Sequence, residues 1–300
     1  IILFIISIII VSSYLIYKFS KNKSNFITFT PKLPKFVLSA YAGDTLGPKI
    51  TSSSNDDPQS LTENMEIVQN SGLNMINFGL CHIGRDKPPP GGNFGLGTGD
   101  IIYNDITVIS KGKLVNEVAM KDWAASMKTL YDSGIWYFSW SFGGAVPWVY
   151  DFRVMAEMLK AQDGRWDQFK QNMKLLYTTF PLVRCVDIDC EETSDDWVNT
   201  CITFAKMCND IGFDVSIAPF SNFGDWKTIL ASGAKFSHIN LQGYSVESLV
   251  PTQAESFVTA FTSTIKPKIP IIYGFSSDFE LSPFTNVTNV TRAIKNQIAG

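Results

Sequence analysis

The 300 residues carry 25 Lys and Arg against 28 Asp and Glu, a net charge of −3. With 45% hydrophobic and only 18% charged residues, the chain is neither disordered nor collagen-like. It also lacks the basic surplus that neutralising nucleic-acid phosphates requires. The length suits one large domain or two ordinary ones. Aromatic residues are abundant, with 22 Phe, 10 Tyr and 7 Trp, enough for a core or for platforms against a flat ligand.

Residues 1–17 read IILFIISIIIVSSYLIY, with no charge among them. As a helix they would rise roughly 25 Å, just short of a bilayer core. The chain opens on Ile1 rather than Met, so residues upstream are expected to complete the span. A signal peptide is the rival reading, but the small-residue cleavage site it needs is missing. The expected organisation is therefore a single-pass membrane anchor at 1–17, a linker at 18–34 and a domain at 35–300. Lys18, Lys21 and Lys23 would keep that domain cytosolic, whereas the sequons at Asn286 and Asn289 matter only in a lumen or outside. The side of the membrane stays open. Cys81, Cys185, Cys190, Cys201 and Cys208 form no CxxC, and with only His82 and His238 beside them no metal site is expected.

From residue 36 onward short apolar runs alternate with longer mixed stretches. A strand at 36–41 precedes a helix at 61–71 and a second strand at 73–81. A Gly/Pro-rich run at 88–99 reads as an exposed loop. A helix at 116–133 leads to a third strand at 134–141, and a helix at 167–180 to a fourth at 182–189. Then come a helix at 195–211, a strand at 213–219, a short helix at 225–232 and a strand at 236–242. A helix at 253–264, a strand at 269–274 and a helix at 286–297 finish the pattern. Repeated βαβ units imply an α/β fold with a parallel sheet, either open and doubly wound or closed. Seven strands without a Gly-rich phosphate turn favour the closed (β/α)8 TIM barrel, its eighth strand expected beyond Gly300.

The fourth strand holds the chemistry. It reads Leu182-Val-Arg-Cys-Val-Asp-Ile-Asp-Cys-Glu-Glu192. Side chains alternate between faces, so Asp187, Asp189 and Glu191 share one face, each about 7 Å from the next. Val186, Ile188 and Cys190 take the other. In a barrel the helix-facing side is apolar, so the acids point inward, at the C-terminal strand end where such barrels build active sites. Burial and mutual repulsion disfavour charge, so at least one carboxyl should keep its proton near neutral pH, the equipment of a general acid. Glu192, Asp195 and Asp196 are explained more simply, as acids favouring the N-terminus of the next helix.

The run Val186-Asp-Ile-Asp-Cys-Glu191 resembles the D-G-x-D-x-D-x-E signature of family 18 glycoside hydrolases, the chitinase and endo-β-N-acetylglucosaminidase group. Ser141-Phe-Gly-Gly144 resembles the family's S-x-G-G motif, and Gln242-Gly-Tyr244 its Q/M-x-Y-D/N motif. The resemblance implies a retaining hydrolase of β-1,4-linked N-acetylglucosamine, in which the substrate's own acetamido oxygen attacks the anomeric carbon. It implies that Glu191 protonates the glycosidic oxygen, Asp189 orients the acetamido group, Asp187 tunes Asp189, and Tyr244 holds the acetamido oxygen. Tyr41, Ser141, Gly143, Gly144, Trp148 and Gln242 are the candidate substrate-binding residues, with no cofactor and no metal. Trp140, Tyr150, Phe220 and Phe223 could line the same cleft or pack in the core.

Several positions depart from the family. Arg184 and Cys185 replace its first Asp and its Gly, Ser245 replaces Asp or Asn, and the Trp that ends its eighth strand is not in this chain. Alternation turns Cys185 inward and Arg184 outward. Inactive lectin-like relatives typically lack the acid, which is present here as Glu191. The alternatives are a catalytically weak carbohydrate-binding protein on the same scaffold, or a structural membrane or particle-associated protein.

Overall fold

A computed structural model of the chain describes residues 32–34, 37–42, 46–50, 60–84, 99–144, 150–192, 196–219, 222–242 and 269–273. The chain divides into two compact units, Ile1–Lys32 and Leu33–Gly300, and the elements below belong to the second. The apolar run at 1–17 and the helices expected at 253–264 and 286–297 lie outside the described residues. Among the described residues no helix is long and apolar enough to cross a membrane.

The elements run β1 (Ser39–Tyr41), α1 (Met65–Gln69), β2 (Met75–Ile83), β3 (Ile101–Tyr103), β4 (Ile106–Ser110), β5 (Lys113–Leu114) and α2 (Glu117–Ser133). They continue with β6 (Tyr137–Gly144), α3 (Asp151–Ala161), α4 (Arg165–Thr179), β7 (Val183–Cys190) and α5 (Trp197–Ile211). The last are β8 (Asp214–Ile217), α6 (Phe223–Leu230), β9 (Phe236–Leu241) and β10 (Ile271–Tyr273). Parallel pairing runs β1-β2-β6-β7-β8-β9-β10, an α/β arrangement with seven parallel strands among the described residues.

The sheet curls strongly about β7. β1 lies three strands from β7, which in a flat sheet would separate them by about 14 Å, farther than a tyrosine side chain spans. Yet the Tyr41 hydroxyl stands 2.8 Å from the Asp187 carboxylate. From the other side Asn240 of β9, two strands away, reaches the same carboxylate at 2.9 Å. Only a sheet rolled toward its β7 face brings both flanks onto one side chain.

The main hydrophobic layer lies between the sheet and the helices. Phe78 of β2, Trp140 of β6 and Trp123 of α2 form an aromatic knot with Tyr103, Phe138 and Phe180, with Trp123–Trp140 and Phe78–Trp140 centroids both 5.4 Å apart. Trp140 is fully buried there, so it is core rather than a cleft residue. Phe223 also packs partly buried against this layer.

Two features were not anticipated. An antiparallel excursion, β3-β4-β5, continues from the far end of β2, pairing Cys81–Ile83 with Ile101–Tyr103. Its turns, Asn104-Asp105 and Lys111-Gly112, hold all four residues at positive φ, the backbone of two-residue hairpins whose twist matches the strands. The second is α3, inserted between β6 and α4. It buries Phe152, Val154, Met155, Ala156 and Met158.

Candidate active site

Strand β7 is flanked by β6 and β8 in a register that sets Ser141, Asp187 and Ser216 side by side. Asp187 is completely buried. Its Oδ2 accepts hydrogen bonds from the Tyr41 hydroxyl at 2.8 Å and the Ser141 hydroxyl at 3.0 Å. Its Oδ1 accepts from the Ser216 hydroxyl at 2.6 Å and the Asn240 amide at 2.9 Å. Four neutral donors from four strands thus converge on one carboxylate. Burial pushes the Asp187 carboxyl above its ordinary value, and the donors from Ser216, Tyr41, Asn240 and Ser141 oppose that rise.

Asp189 is two residues on and nearly as deep, 7% exposed. Burial raises its carboxyl well above the usual range, and the charges of Asp187 and Glu191 raise it further. The Gln242 side-chain amide opposes this, donating at 2.6 Å. Glu191, just past the strand, is only partly buried. Its carboxyl is raised by burial and lowered by Gln242, whose amide nitrogen lies 3.4 Å away. All three acids are therefore biased toward keeping protons, Asp189 most strongly.

The glycines of the S-x-G-G run serve the backbone. Gly143 pairs with Asp189 at φ 116°, and a Cβ there would sit 2.1 Å from the Asp189 carbonyl oxygen. Gly144, at φ 122°, would place a Cβ 2.5 Å from the Leu80 side chain. Gly143 thus lets β6 run close beside the carboxylate strand, and Gly144 makes room for Leu80 of β2. Ser141 and Gln242 touch the acids directly, and Tyr41 joins them while remaining 40% exposed. Tyr244, Trp148 and Phe220 lie outside the described residues. Tyr150 is partly buried, with the Arg153 guanidinium 5.2 Å from its ring centroid.

The remaining residues of β7 behave as alternation requires. Arg184 stacks over the Tyr177 ring at 4.6 Å on the helix side. Cys185 points inward beneath Asp187, its sulfur 3.5 Å from the Ser216 hydroxyl, and burial pushes its thiol up to about 12. The expectation for Glu192 needs correction. Its carboxylate accepts the backbone N–H groups of Phe152 and Arg153 at 2.9 and 3.1 Å, so it caps α3 rather than the helix that follows β7. Asp196 makes no side-chain cap on α5 and instead pairs with Lys160 of α3 at 3.0 Å.

Ser216 and Asn240 are site residues that sequence reasoning did not single out. Their signal was weak, a polar residue between two apolar ones near the C-terminal end of a short strand, Val215-Ser216-Ile217 and Ile239-Asn240-Leu241. His82 and Asp151 form a further unforeseen pair. Asp151 meets His82 Nδ1 at 2.8 Å and accepts the Ile83 N–H at 2.8 Å, tying the end of β2 to the start of α3.

No protein-family model matches the chain, and no curated protein matches it. Among solved structures it is similar to the Bacillus cereus spore cortex-lytic enzyme SleL, with a TM-score of 0.50 and 13% identity. That match covers 79% of this chain and 50% of the other. SleL of Bacillus megaterium matches with a TM-score of 0.49 and 14% identity, over 86% of this chain and 57% of that one. A chitinase from Chromobacterium violaceum matches with a TM-score of 0.46 and 10% identity, over 80% and 68%. The chain thus spans about half the length of the SleL structures. The first likeness shows the fold, an α/β architecture of the TIM-barrel kind with a parallel sheet.

Proposed function

We propose that the chain is a glycoside hydrolase that cleaves β-1,4-linked N-acetylglucosamine, as in chitin or chitin-like oligosaccharides, by substrate-assisted retention. The observation that carries this reading is the shared inward face of Asp187, Asp189 and Glu191, graded from fully buried to partly exposed. Glu191, raised by burial, keeps a proton to give to the glycosidic oxygen. Asp189 receives the substrate's acetamido N–H, which aims the acetamido oxygen at the anomeric carbon. Asp187, held by its four donors, fixes the orientation of the strand face and shapes the protonation of Asp189. Tyr41 would offer its exposed ring edge to the sugar, and Trp148 and Tyr244 would complete the cleft. The closed eight-stranded barrel belongs to the same proposal. So does membrane anchoring through residues 1–17, for which resistance of the full chain to alkaline extraction from membranes is the test.

Hydrolysis of a chromogenic chitotrioside tests the central reading. Glu191→Gln should lower turnover by about 10²- to 10⁴-fold, the usual contribution of a general acid, while oligosaccharide binding persists. A wild-type protein that binds the sugar without cleaving it would mark a lectin-like protein. One that does neither would leave only the scaffold.

A further inference from the structure

We propose that Gln242 is a positioning residue that passes a single N–H from Asp189 to Glu191 as the reaction advances. The inference rests on the hydrolase reading above and adds a role for a residue that sequence motifs assign only to substrate contact.

Gln242 follows the last residue of β9, and its backbone N–H donates to the Pro219 carbonyl at 3.3 Å. Its side-chain nitrogen has three acceptors in reach: Ala218 O at 3.0 Å, Asp189 Oδ1 at 2.6 Å and Glu191 Oε1 at 3.4 Å. A primary amide has two hydrogens. One is committed to Ala218, whose own N–H donates to Ile188 of β7, so that carbonyl is fixed by the sheet. Two carboxyls are left to share the other hydrogen. At rest it belongs to Asp189, because 3.4 Å is at the limit of a useful hydrogen bond.

The chemistry makes this asymmetry useful. When Glu191 protonates the leaving oxygen, its O–H bond breaks and an O–H bond forms on the leaving sugar. The C1–O bond breaks, its electron pair goes to that oxygen, and the acetamido oxygen bonds to C1. Glu191 is then a partly buried anion in need of a donor. Asp189 already holds the substrate's acetamido N–H by then and no longer depends on Gln242. The released N–H closes onto Glu191 and steadies the anion. When Glu191 later takes a proton from the attacking water, the N–H returns to Asp189.

Gln242→Met is the test. Met has similar length, cannot donate, and occupies this position in part of the family that the motif resembles, so the variant should fold; its thermal unfolding is the check. If it does not fold, Gln242→Leu, which is also uncharged and has no donor, carries the same expectation. Loss of a donor to a carboxylate weakens the acid, so the alkaline limb of kcat moves to higher pH. The limb of kcat/KM, which reports the free enzyme, moves less. We expect kcat to fall about tenfold with KM nearly unchanged, the loss of one hydrogen bond made to a charged group late in the reaction. Equal movement of both limbs, or of neither, overturns the proposal.

Carboxyl-carbon NMR gives a readout that needs no turnover, with Glu191 assigned by its absence from Glu191→Gln. Chitotriose should lower the Glu191 titration in the wild type relative to Gln242→Met, by more than the two differ when unliganded. If that holds while chitotrioside is bound but not cleaved, the hydrolase reading falls, and what is left of the hand-over is a shift of the Gln242 amide driven by sugar binding alone. If chitotrioside is cleaved but neither limb nor titration responds, the hand-over falls and the hydrolase reading stands. Absence of sugar binding overturns both.

Discussion

Replacing Asp189 with Asn removes the most strongly perturbed carboxyl of the cluster while preserving its shape and the oxygen that accepts from Gln242. Burial, and then the charges of Asp187 and Glu191, lift Asp189 far above its ordinary 3.8. Through the window between that value and the folded one, the native protein holds one more proton than the unfolded chain. Stability therefore falls as pH rises through the window, by about 1.4 kcal/mol per pH unit for this one group. As pH rises above that ordinary value the group should therefore make the folded protein progressively less stable. Asn resembles the protonated acid, so Asp187 and Glu191 feel nearly the same neighbour in both proteins and their own contributions cancel in the comparison. Urea unfolding at pH 5, 6, 7 and 8 measures the effect. The stability of the Asn variant relative to the wild type should rise steadily from pH 5 to pH 8, and the variant should be without hydrolytic activity. Parallel pH profiles, or a variant less stable at pH 7, would refute the idea that Asp189 carries its proton because it is buried beside like charges.

Four further outcomes follow from the geometry. Gly143→Ala forces a Cβ to within 2.1 Å of the Asp189 carbonyl, so unfolding should show a loss of at least about 3 kcal/mol or no folded protein. Gly134→Ala, at φ 114° with nothing within 4 Å, should cost only about 1 kcal/mol in the same assay. Glu192→Ala removes the acceptor for two N–H groups of α3 and should lower stability by about 1–2 kcal/mol in thermal unfolding, with only part of the loss recovered by Gln, which has one acceptor oxygen for the two donors. Tyr41→Phe deletes one of the four donors to Asp187, so carboxyl NMR should show that carboxyl titrating higher, whereas an unmoved titration would mean the other three suffice.

The carboxylate strand was legible because one rule, alternation, decides it. Asp187 and Asp189 had to share a face, and Val186 and Ile188 had to share the apolar one. What surrounds them was not legible in the same way. Ser216 and Asn240 reach Asp187 from β8 and β9, and knowing that requires the curl of the sheet, which no local pattern encodes. The motif residues Ser141 and Gln242 drew attention through resemblance, but their partners are the acids themselves. The β3–β5 excursion did have a local signal, in Asn104-Asp105 and Lys111-Gly112 between apolar runs, which the adjoining Gly/Pro-rich stretch obscured. Glu192 shows the opposite limit. Its charge suggested a helix N-terminus correctly, but the helix it serves precedes β7 by sequence and meets it only in the fold.

The neutrality of the donors around Asp187 has a consequence for the whole cluster. A lysine or arginine in place of Ser216 or Asn240 would hold Asp187 ionised by a full charge, and would pull the protons off Asp189 and Glu191 as well. Hydroxyls and an amide satisfy the lone pairs of Asp187 without supplying that charge. The nearby His238 follows the same logic: its ring is fully buried, and burial pushes its titration down to about 3, so it is neutral at any working pH. Around the acids the inner face of the sheet is thus polar but otherwise uncharged, with Asn77, Ser139, Ser141, Ser216 and His238 all inaccessible, and its apolar part is the small cluster of Met75, Tyr137 and Cys185. Such an interior contributes little hydrophobic stabilisation. The aromatic layer around Trp123 and Trp140 on the other face must supply it, which is why substitutions there should act on stability, and substitutions among the neutral donors on protonation.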